Sequence, residues 1–426
     1  MSRILLDTYG CTLNGADSDI MQAALEREGH SVYRGDANIA GSYDYVIINT
    51  CTVKKPTEQK ILSRIDKARH MGKKLIVAGC MVGANREKVL RHAPDASILN
   101  TGNVGNVSEV IASISAGRDA NAVTRVLPDK AGLLVAGGGT VARIPISEGC
   151  LSNCSFCETK FARGPLHSFD HAVIVRAVGR AVEAGAREIE LTSQDVGAYG
   201  RDTGTDIAEL ASAVCDIDGD FKVRIGMLNP EHLPRYMDRL IDAFGRGKLY
   251  RFVHLPVQSG SDAVLRSMRR RYSVSEYSAM VREFQSRIDD ISVATDMIVG
   301  YPTETETDFV RSVELIEELG FSRTNISRFG AMDHTDAARL PKLDDRLVKE
   351  RAARMHRIAR MHEINALAKI MGKRVRVLAT EINHGSLLGR DDAYRQIAIE
   401  GENVQPGQIL TAEVYASSPV CLIARA

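Results

Sequence analysis

The chain has no tryptophan, and Phe and Tyr together bring its aromatic share to only 5%. A surface built on rows of stacked nucleobases is therefore not expected, because such platforms depend on aromatic side chains. Charge of one sign is also missing: 55 Lys and Arg stand against 54 Asp and Glu, a formal net charge of +1 over 426 residues. The molecule as a whole has no field to draw in a polyanion, so any nucleic-acid contact must come from local patches. No stretch approaches the roughly 20 consecutive apolar residues of a membrane span. The opening residues MSRILLDTYGC hold one early Arg and no long apolar run, so no signal peptide is expected. These absences lead to the expectation of a soluble, cytoplasmic protein with no membrane partner.

What is present is an alternation of short apolar runs and helical patterns, the signature of parallel α/β layers. Strands are expected at 4–6, 46–49 and 75–78, with helices at 17–28, near 61–72 and at 107–115. Residues 1–120 thus read as an open parallel α/β domain, and 121–140, with Pro128 and Gly137, Gly138 and Gly139, as a linker. Alternation resumes over 141–365, where strands at 142–146, 188–191, 223–225, 252–255, 292–298 and 325–327 suggest six βα units in a barrel or part of one. A long Arg-rich helix is expected over 345–371. The periodicity then changes to short β segments at 374–379, 394–400, 409–415 and 420–424, so 366–426 reads as a small all-β barrel.

Eight cysteines without a secretory leader do not suggest a disulfide scaffold. Cys150, Cys154 and Cys157 form C-x3-C-x2-C in GCLSNCSFCETKFARG, just after a strand. Three thiolates on one loop can hold three irons of a [4Fe–4S] cube and leave the fourth open. A structural zinc would want a fourth ligand, and no Cys or His lies near in sequence. Cys11, Cys51 and Cys80 are far apart in sequence, yet each lies just beyond an expected parallel strand, where ligands of open α/β sheets gather. A lone Cys is more often a small buried hydrophobe, but three at equivalent positions can meet at one site. Cys215 and Cys421 fit neither set and are expected to be packing residues.

With these motifs in hand, the chain resembles the radical-SAM methylthiotransferases over essentially its whole length. The last segment, with GRDDAYRQIAIEG and VQPGQILTAEV, is similar to a TRAM domain, a small OB-like RNA-binding barrel. TYGCTLNGADSDIM, NTCTVKKPTE and CSFCETKFARGPLHS resemble the archaeal and eukaryotic branch that acts on N6-threonylcarbamoyladenosine beside the tRNA anticodon. Thr159 and Lys160, and Ala162, Arg163 and Gly164, carry most of that likeness. The resemblance implies two [4Fe–4S] clusters, on Cys150, Cys154 and Cys157 and on Cys11, Cys51 and Cys80, with S-adenosylmethionine as radical source and methyl donor. It also implies cofactor contacts from Phe156, Ser193, Gln194, Arg224, Gln258, Ser259, Asp296 and Gly300. No side chain is expected to act as an acid–base catalyst.

For RNA, Arg266, Arg269, Arg270 and Arg271 precede Tyr272 in a segment similar to the family's M-x-R-x-Y pattern. Arg351, Arg354, Arg357 and Arg360 line the long helix, where a solvated face is the plainer reading. Lys373, Arg374 and Arg376, at the entry to the last barrel, are better placed for phosphates; with Arg270 they are the expected tRNA contacts. The further partners implied are the anticodon stem-loop, a small-protein electron donor and a sulfur source, with the chain acting as a monomer. Two alternatives are a methylthiotransferase acting on another tRNA adenosine or a ribosomal-protein side chain, and a non-catalytic RNA-binding protein with structural zinc.

Overall fold

Strands 3–8, 45–50 and 74–79 carry apolar residues with no exposure on either face, among them Ile4, Leu5, Val46, Ile47, Ile76 and Val77. That pattern requires a parallel sheet covered by helices on both sides. The computed structural model describes residues 1–35, 41–118, 120–121, 130–133, 139–383, 385–401, 404–418 and 421–426. The first unit runs β1 (Arg3–Thr8), α1 (Thr12–Arg27), β2 (Ser31–Arg34), β3 (Tyr45–Thr50), α2 (Lys55–His70), β4 (Lys74–Gly79), α3 (Cys80–Ala84), α4 (Arg86–His92), β5 (Ser97–Leu99) and α5 (Val107–Ser115). Its sheet is all parallel, in the order β2-β1-β3-β4-β5. Leu5 and Val46 pack into one core and Ile4 and Ile47 into another, one on each face.

After the short α6 (Lys130–Leu133), a second α/β unit begins with β6 (Val141–Pro145), β7 (Ser147–Glu148), α7 (Thr159–Arg163) and β8 (His167–Ser168). It continues through α8 (His171–Glu183), β9 (Glu188–Thr192), α9 (Ile207–Cys215), β10 (Lys222–Ile225), α10 (Met237–Phe244) and β11 (Phe252–His254). Next come α11 (Asp262–Ser267), α12 (Val274–Arg287), β12 (Ser292–Val299), α13 (Glu306–Leu319), β13 (Arg323–Arg328) and α14 (Asp345–Ala368). Two parallel sheets, β10-β9-β6 and β11-β12-β13, meet where the Tyr250 amide donates to the Val223 carbonyl at 2.9 Å. Among the described residues β6 and β13 share no ladder, so the six strands make a partial barrel. Ile144, Ile189, Leu191 and Val223 point outward into the largest core. Inside, the polar side chains of Arg143, Glu190 and Arg224 form a chain of ion pairs at 3.5 and 3.7 Å.

The last unit is a closed barrel, β14-β15-β16-β18-β17, built from β14 (Arg374–Asn383), β15 (Ser386–Asp391), β16 (Gln396–Glu400), β17 (Ile409–Ser417) and β18 (Leu422–Arg425). It docks on the amino ends of the partial-barrel strands. Lys222 pairs with Asp392 at 2.7 Å, Arg395 with Asp290 at 2.6 Å, and the Arg251 amide donates to the Asp392 carbonyl at 2.7 Å. The small barrel therefore closes the end opposite to the one where parallel sheets carry their sites.

The structure moves several expected boundaries. α1 starts directly after Cys11, not at Asp17, and β2, β5 and β15 were not expected. The strand expected at 394–400 begins at Gln396, because Tyr394 sits in a turn with φ of 61°. That turn sends its hydroxyl to Glu188 and Glu190 at 3.3 and 3.1 Å and its ring over Arg224. Of the expected linker, residues 122–129 and 134–138, including Pro128, Gly137 and Gly138, lie outside the described residues, as does Val420. Among the described residues no helix is long and apolar enough to cross a membrane.

Burial first, and then the neighbouring Glu190, pushes the Glu188 carboxyl up from 4.5 to about 7. A carboxyl raised in the folded state favours folding while protonated, so its contribution is full below pH 4.5 and lost as pH climbs through about 7. The stability of the protein relative to its Glu188→Gln variant should fall between pH 5 and 8, by on the order of 2 kcal/mol. Thermal melts of both across that range check this; parallel curves would contradict it.

Candidate functional site

The loop between β7 and α7 carries Cys150, Cys154 and Cys157, and its conformation is pinned from several sides. The Cys150 amide donates to the Gly164 carbonyl at 3.2 Å, and the Ser155 amide to the Met268 carbonyl at 3.2 Å. The Ser155 hydroxyl meets Tyr301 Oη at 2.9 Å. Gly149 has φ of 75°, and a methyl there would overlap the Pro165 carbonyl, so only glycine fits. Burial pushes the Cys150 thiol up to about 12; Asp195 adds to the rise, as do Cys157 and Cys154.

Cys11, Cys51 and Cys80 follow β1, β3 and β4, which are adjacent in the sheet. Topology thus sets the three strand ends side by side. Cys51 Sγ lies against Gly10, whose φ of 106° and lack of a side chain make the approach possible. Asn14, in the first turn of α1, ties the three strand ends together. Its Nδ2 donates to the carbonyls of Tyr9 and Thr50, both at 2.7 Å, and its Oδ1 accepts from the Cys80 thiol at 3.5 Å. Burial pushes the Cys51 and Cys80 thiols up to about 11 and about 12, and each also feels Cys11. Among the described residues no three His, Cys, Asp or Glu side chains close around one ion. Each set offers three thiol donors, the number that a [4Fe–4S] cluster with one open iron takes, one on each of three irons.

The segments that carry the two triads meet at one seam. α3 packs on α7 so tightly that a methyl on Gly83 would overlap the Ala162 carbonyl. The next residue, Arg163, crosses the seam and donates to Cys80 Sγ at 3.3 Å. Beside it, Asn85 donates to Glu158 at 2.6 Å, and Lys88 joins Glu58 and Asp333. Burial first, then Glu58 and Asp333, pushes the Glu158 carboxyl up to about 7. Sequence reasoning assigned no site role to Arg163, Asn14 or Glu158. Spacing gave no signal for Arg163, whose partners Asn14 and Asp17 lie 149 and 146 residues earlier.

The expected cofactor residues divide. Ser193 Oγ and Gln194 Oε1, at the carboxyl end of β9, are buried atoms without a hydrogen-bond partner among the described residues. Asp296 accepts from His254 at 3.1 Å and Asn325 at 2.9 Å. Burial acts to raise its pKa, but those hydrogen bonds outweigh it and hold the carboxyl below its usual range. Gln258 takes a left-handed φ of 76° four residues beyond β11. Phe156 packs against the cluster of Val264, Met268 and Tyr301. Others are occupied elsewhere. Ser259 is 1% exposed and turned toward Ser312 of α13. Gly300 makes room for Val348 of α14. Arg224 lies 3.7 Å from Glu190 and beside the Tyr394 ring, but its Nε is buried without a hydrogen-bond partner among the described residues.

Arg270 corrects an expectation. It is not a surface contact for phosphate: its side chain is buried, with Nη1 donating to Cys154 Sγ at 3.4 Å, Nε to Tyr272 Oη at 2.7 Å and Nη2 to the Pro256 carbonyl at 3.0 Å. Arg351 is likewise buried, paired with Glu304 at 2.8 Å and Glu306 at 2.9 Å. Lys373, Arg374 and Arg376 are exposed and line a cleft of about 390 Å³ with Arg251 and Arg395. Arg376 also pairs with Asp220 at 3.2 Å. Cys215 packs in the largest core.

Comparison with known proteins agrees with this arrangement. The radical SAM superfamily model matches residues 144–316, and uncharacterized protein family UPF0004 matches residues 3–100. A probable threonylcarbamoyladenosine tRNA methylthiotransferase of Archaeoglobus fulgidus is 41% identical, covering 94% of this chain and 93% of its own. One from Methanothermobacter thermautotrophicus is 36% identical over 99% of both chains. The threonylcarbamoyladenosine tRNA methylthiotransferase of Homo sapiens is 30% identical, covering 98% of this chain and 72% of its own. Fold and site together define a radical-SAM transferase. Within that class, the chain belongs to the threonylcarbamoyladenosine tRNA methylthiotransferase family. Among solved structures, the radical S-adenosylmethionine methyltransferase TsrM from Kitasatospora setae aligns with a TM-score of 0.57 at 15% identity, over 79% of this chain and 76% of its own. That likeness concerns the fold alone.

The burial of Arg270 makes a testable distinction. Arg270→Lys should leave tRNA affinity and its salt dependence within about twofold, because no phosphate contact is lost. The absorbance and redox behaviour of whatever occupies Cys150, Cys154 and Cys157 should change instead. A drop in the salt slope of binding by about one unit would return Arg270 to the RNA surface.

Proposed function

We propose that this protein methylthiolates C2 of N6-threonylcarbamoyladenosine at position 37 of tRNA, giving 2-methylthio-N6-threonylcarbamoyladenosine. The observation that carries the reading is the packing of α3, which begins at Cys80, on α7, which follows Cys157, in a chain with relatives of that printed name at 30–41% identity. In this reading residues 1–120, 141–365 and 366–426 act as methylthiotransferase, radical-SAM and TRAM units. Cys150, Cys154 and Cys157 would hold one [4Fe–4S] cluster and leave an iron open, and Cys11, Cys51 and Cys80 would hold the other.

The target position is an aromatic C–H, which no side-chain base could usefully deprotonate, so a radical route is required. Bound clusters and S-adenosylmethionine would supply that radical, deliver the sulfur and give the methyl group. The chain's own residues place and enclose. Ser193 and Gln194, with their unpartnered polar atoms, are suited to the cofactor's polar edges. Asp296, kept ionised by His254 and Asn325, offers an acceptor for hydroxyl groups. The tight α3–α7 contact encloses the Cys80 side of the seam, while Cys11 stays open to solvent. Lys373 and Arg374 are proposed to grip backbone phosphates of the anticodon stem-loop, with Arg376 beside them. We place the reaction in the cytoplasm, with the chain acting as a monomer, one electron coming from a small donor protein and the sulfur from a separate source.

Two experiments test this. Cys154→Ala should abolish 5′-deoxyadenosine formation, whereas Cys51→Ala should keep it and lose the methylthiolated nucleoside, read by mass spectrometry of digested tRNA. Full product from Cys51→Ala would remove the second centre from the mechanism. Replacing Lys373 and Arg374 by Gln should weaken tRNA binding and lower the salt slope by about one unit each; an unchanged slope would place the RNA elsewhere.

A further inference from the structure

Arg163 stands among the most enclosed charged groups in the molecule, its side chain 0% exposed. Every edge of its guanidinium is used. Nη1 donates to Glu148 at 2.8 Å, and Nη2 to Asn14 at 2.6 Å and to Asp17 at 2.7 Å. Lys130, 1% exposed, meets the other oxygens of the same two carboxylates, Asp17 at 2.7 Å and Glu148 at 2.9 Å. Two acids and two bases thus form a closed, neutral quartet that joins α1, α6, β7 and α7. For charge balance alone a second lysine would serve as well as an arginine. What lysine lacks is the planar fork, and the edge of that fork outside the quartet is Nε, which donates to Cys80 Sγ at 3.3 Å.

We propose that Arg163 is a positioning residue for the second iron–sulfur centre, holding the Cys80 sulfur through Nε and favouring the reduced state of that centre. This rests on the reading of Cys11, Cys51 and Cys80 as cluster ligands. Two physical facts support it. A hydrogen bond to a ligating sulfur, and a positive charge beside it, stabilise the more negative reduced cluster and raise its potential. And Asn14, which accepts from Arg163, also spans the strand ends bearing Cys11 and Cys51, so the guanidinium orientation is fixed from the cluster side as well. The same residue links the segments that carry the two triads. α7 follows Cys157 directly, and the Gly164 carbonyl holds the Cys150 amide at 3.2 Å. The loop of the first triad is thereby clamped to a ligand of the second.

The test isolates the second centre by replacing Cys150, Cys154 and Cys157 with Ala in the full chain and reconstituting it anaerobically. Redox titration of this parent and of its Arg163→Lys derivative should show the derivative harder to reduce. At the parent's midpoint its reduced-to-oxidised ratio should fall about tenfold, equivalent to about 59 mV for one electron. An unchanged midpoint in the loaded, folded derivative overturns the proposal. Should Arg163→Lys not fold, the parent labelled with 15N-arginine decides. Its reduced centre should show nitrogen hyperfine coupling from the label, and the absence of coupling also overturns the proposal. A parent that binds no iron would instead overturn the ligand assignment of Cys11, Cys51 and Cys80, and this inference with it.

Discussion

The arrangement depends on a closed set of buried charges at the junction of two parallel sheets. Asp17, Glu148, Lys130 and Arg163 are each satisfied by two of the others, in a place that water does not reach. Such a network contributes little net stability, because removing four charges from water costs about as much as their attraction returns. Breaking it by one member is another matter, since an uncompensated buried charge costs on the order of 3–5 kcal/mol. The quartet therefore acts as a registration device. It allows one relative placement of the first sheet and the partial barrel, and that placement brings the carboxyl ends of both sheets to the same seam.

The electrostatics of the seam follow from that placement. Burial pushes Cys51, Cys80 and Cys150 to about 11, 12 and 12, well above an ordinary thiol. Thiolates in such surroundings need compensating positive charge. Each triad has a buried guanidinium N–H aimed at one sulfur, from Arg163 at Cys80 and from Arg270 at Cys154. At the far end of the partial barrel, Tyr394 and Arg395 of the small barrel engage Glu188, Glu190 and Asp290. RNA gripped by Lys373 and Arg374 would thus be held at the opposite end from the chemistry, and would have to run along the barrel to bring its base to the seam.

Much of this was legible in the sequence. Apolar runs marked the central strands of both sheets. The C-x3-C-x2-C motif and the placement of Cys11, Cys51 and Cys80 after successive strands were visible because strand ends carry sites for topological reasons. Short edge strands such as Ser97–Leu99 carried too few residues to show a period. The misreading of Arg270 has a clear cause: an arginine among exposed neighbours looks like a basic patch, and only the fold turns it inward onto Cys154. The quartet was invisible for a different reason. Its members come from four segments, and no local pattern distinguishes a buried Asp17 or Lys130 from a solvated one. The boundary at Tyr394 was missed because its aromatic character favours a strand, while contacts with the neighbouring barrel impose a turn.

Two separate inorganic centres fix the iron content of the chain, and metal counting tests them most directly. After anaerobic reconstitution, the intact chain should hold about eight irons and about eight sulfides, four of each per centre. Removing either triad should leave about four, whichever triad is chosen. A chain that holds about four irons when intact, and loses none on replacement of Cys11, Cys51 and Cys80, would contradict the account.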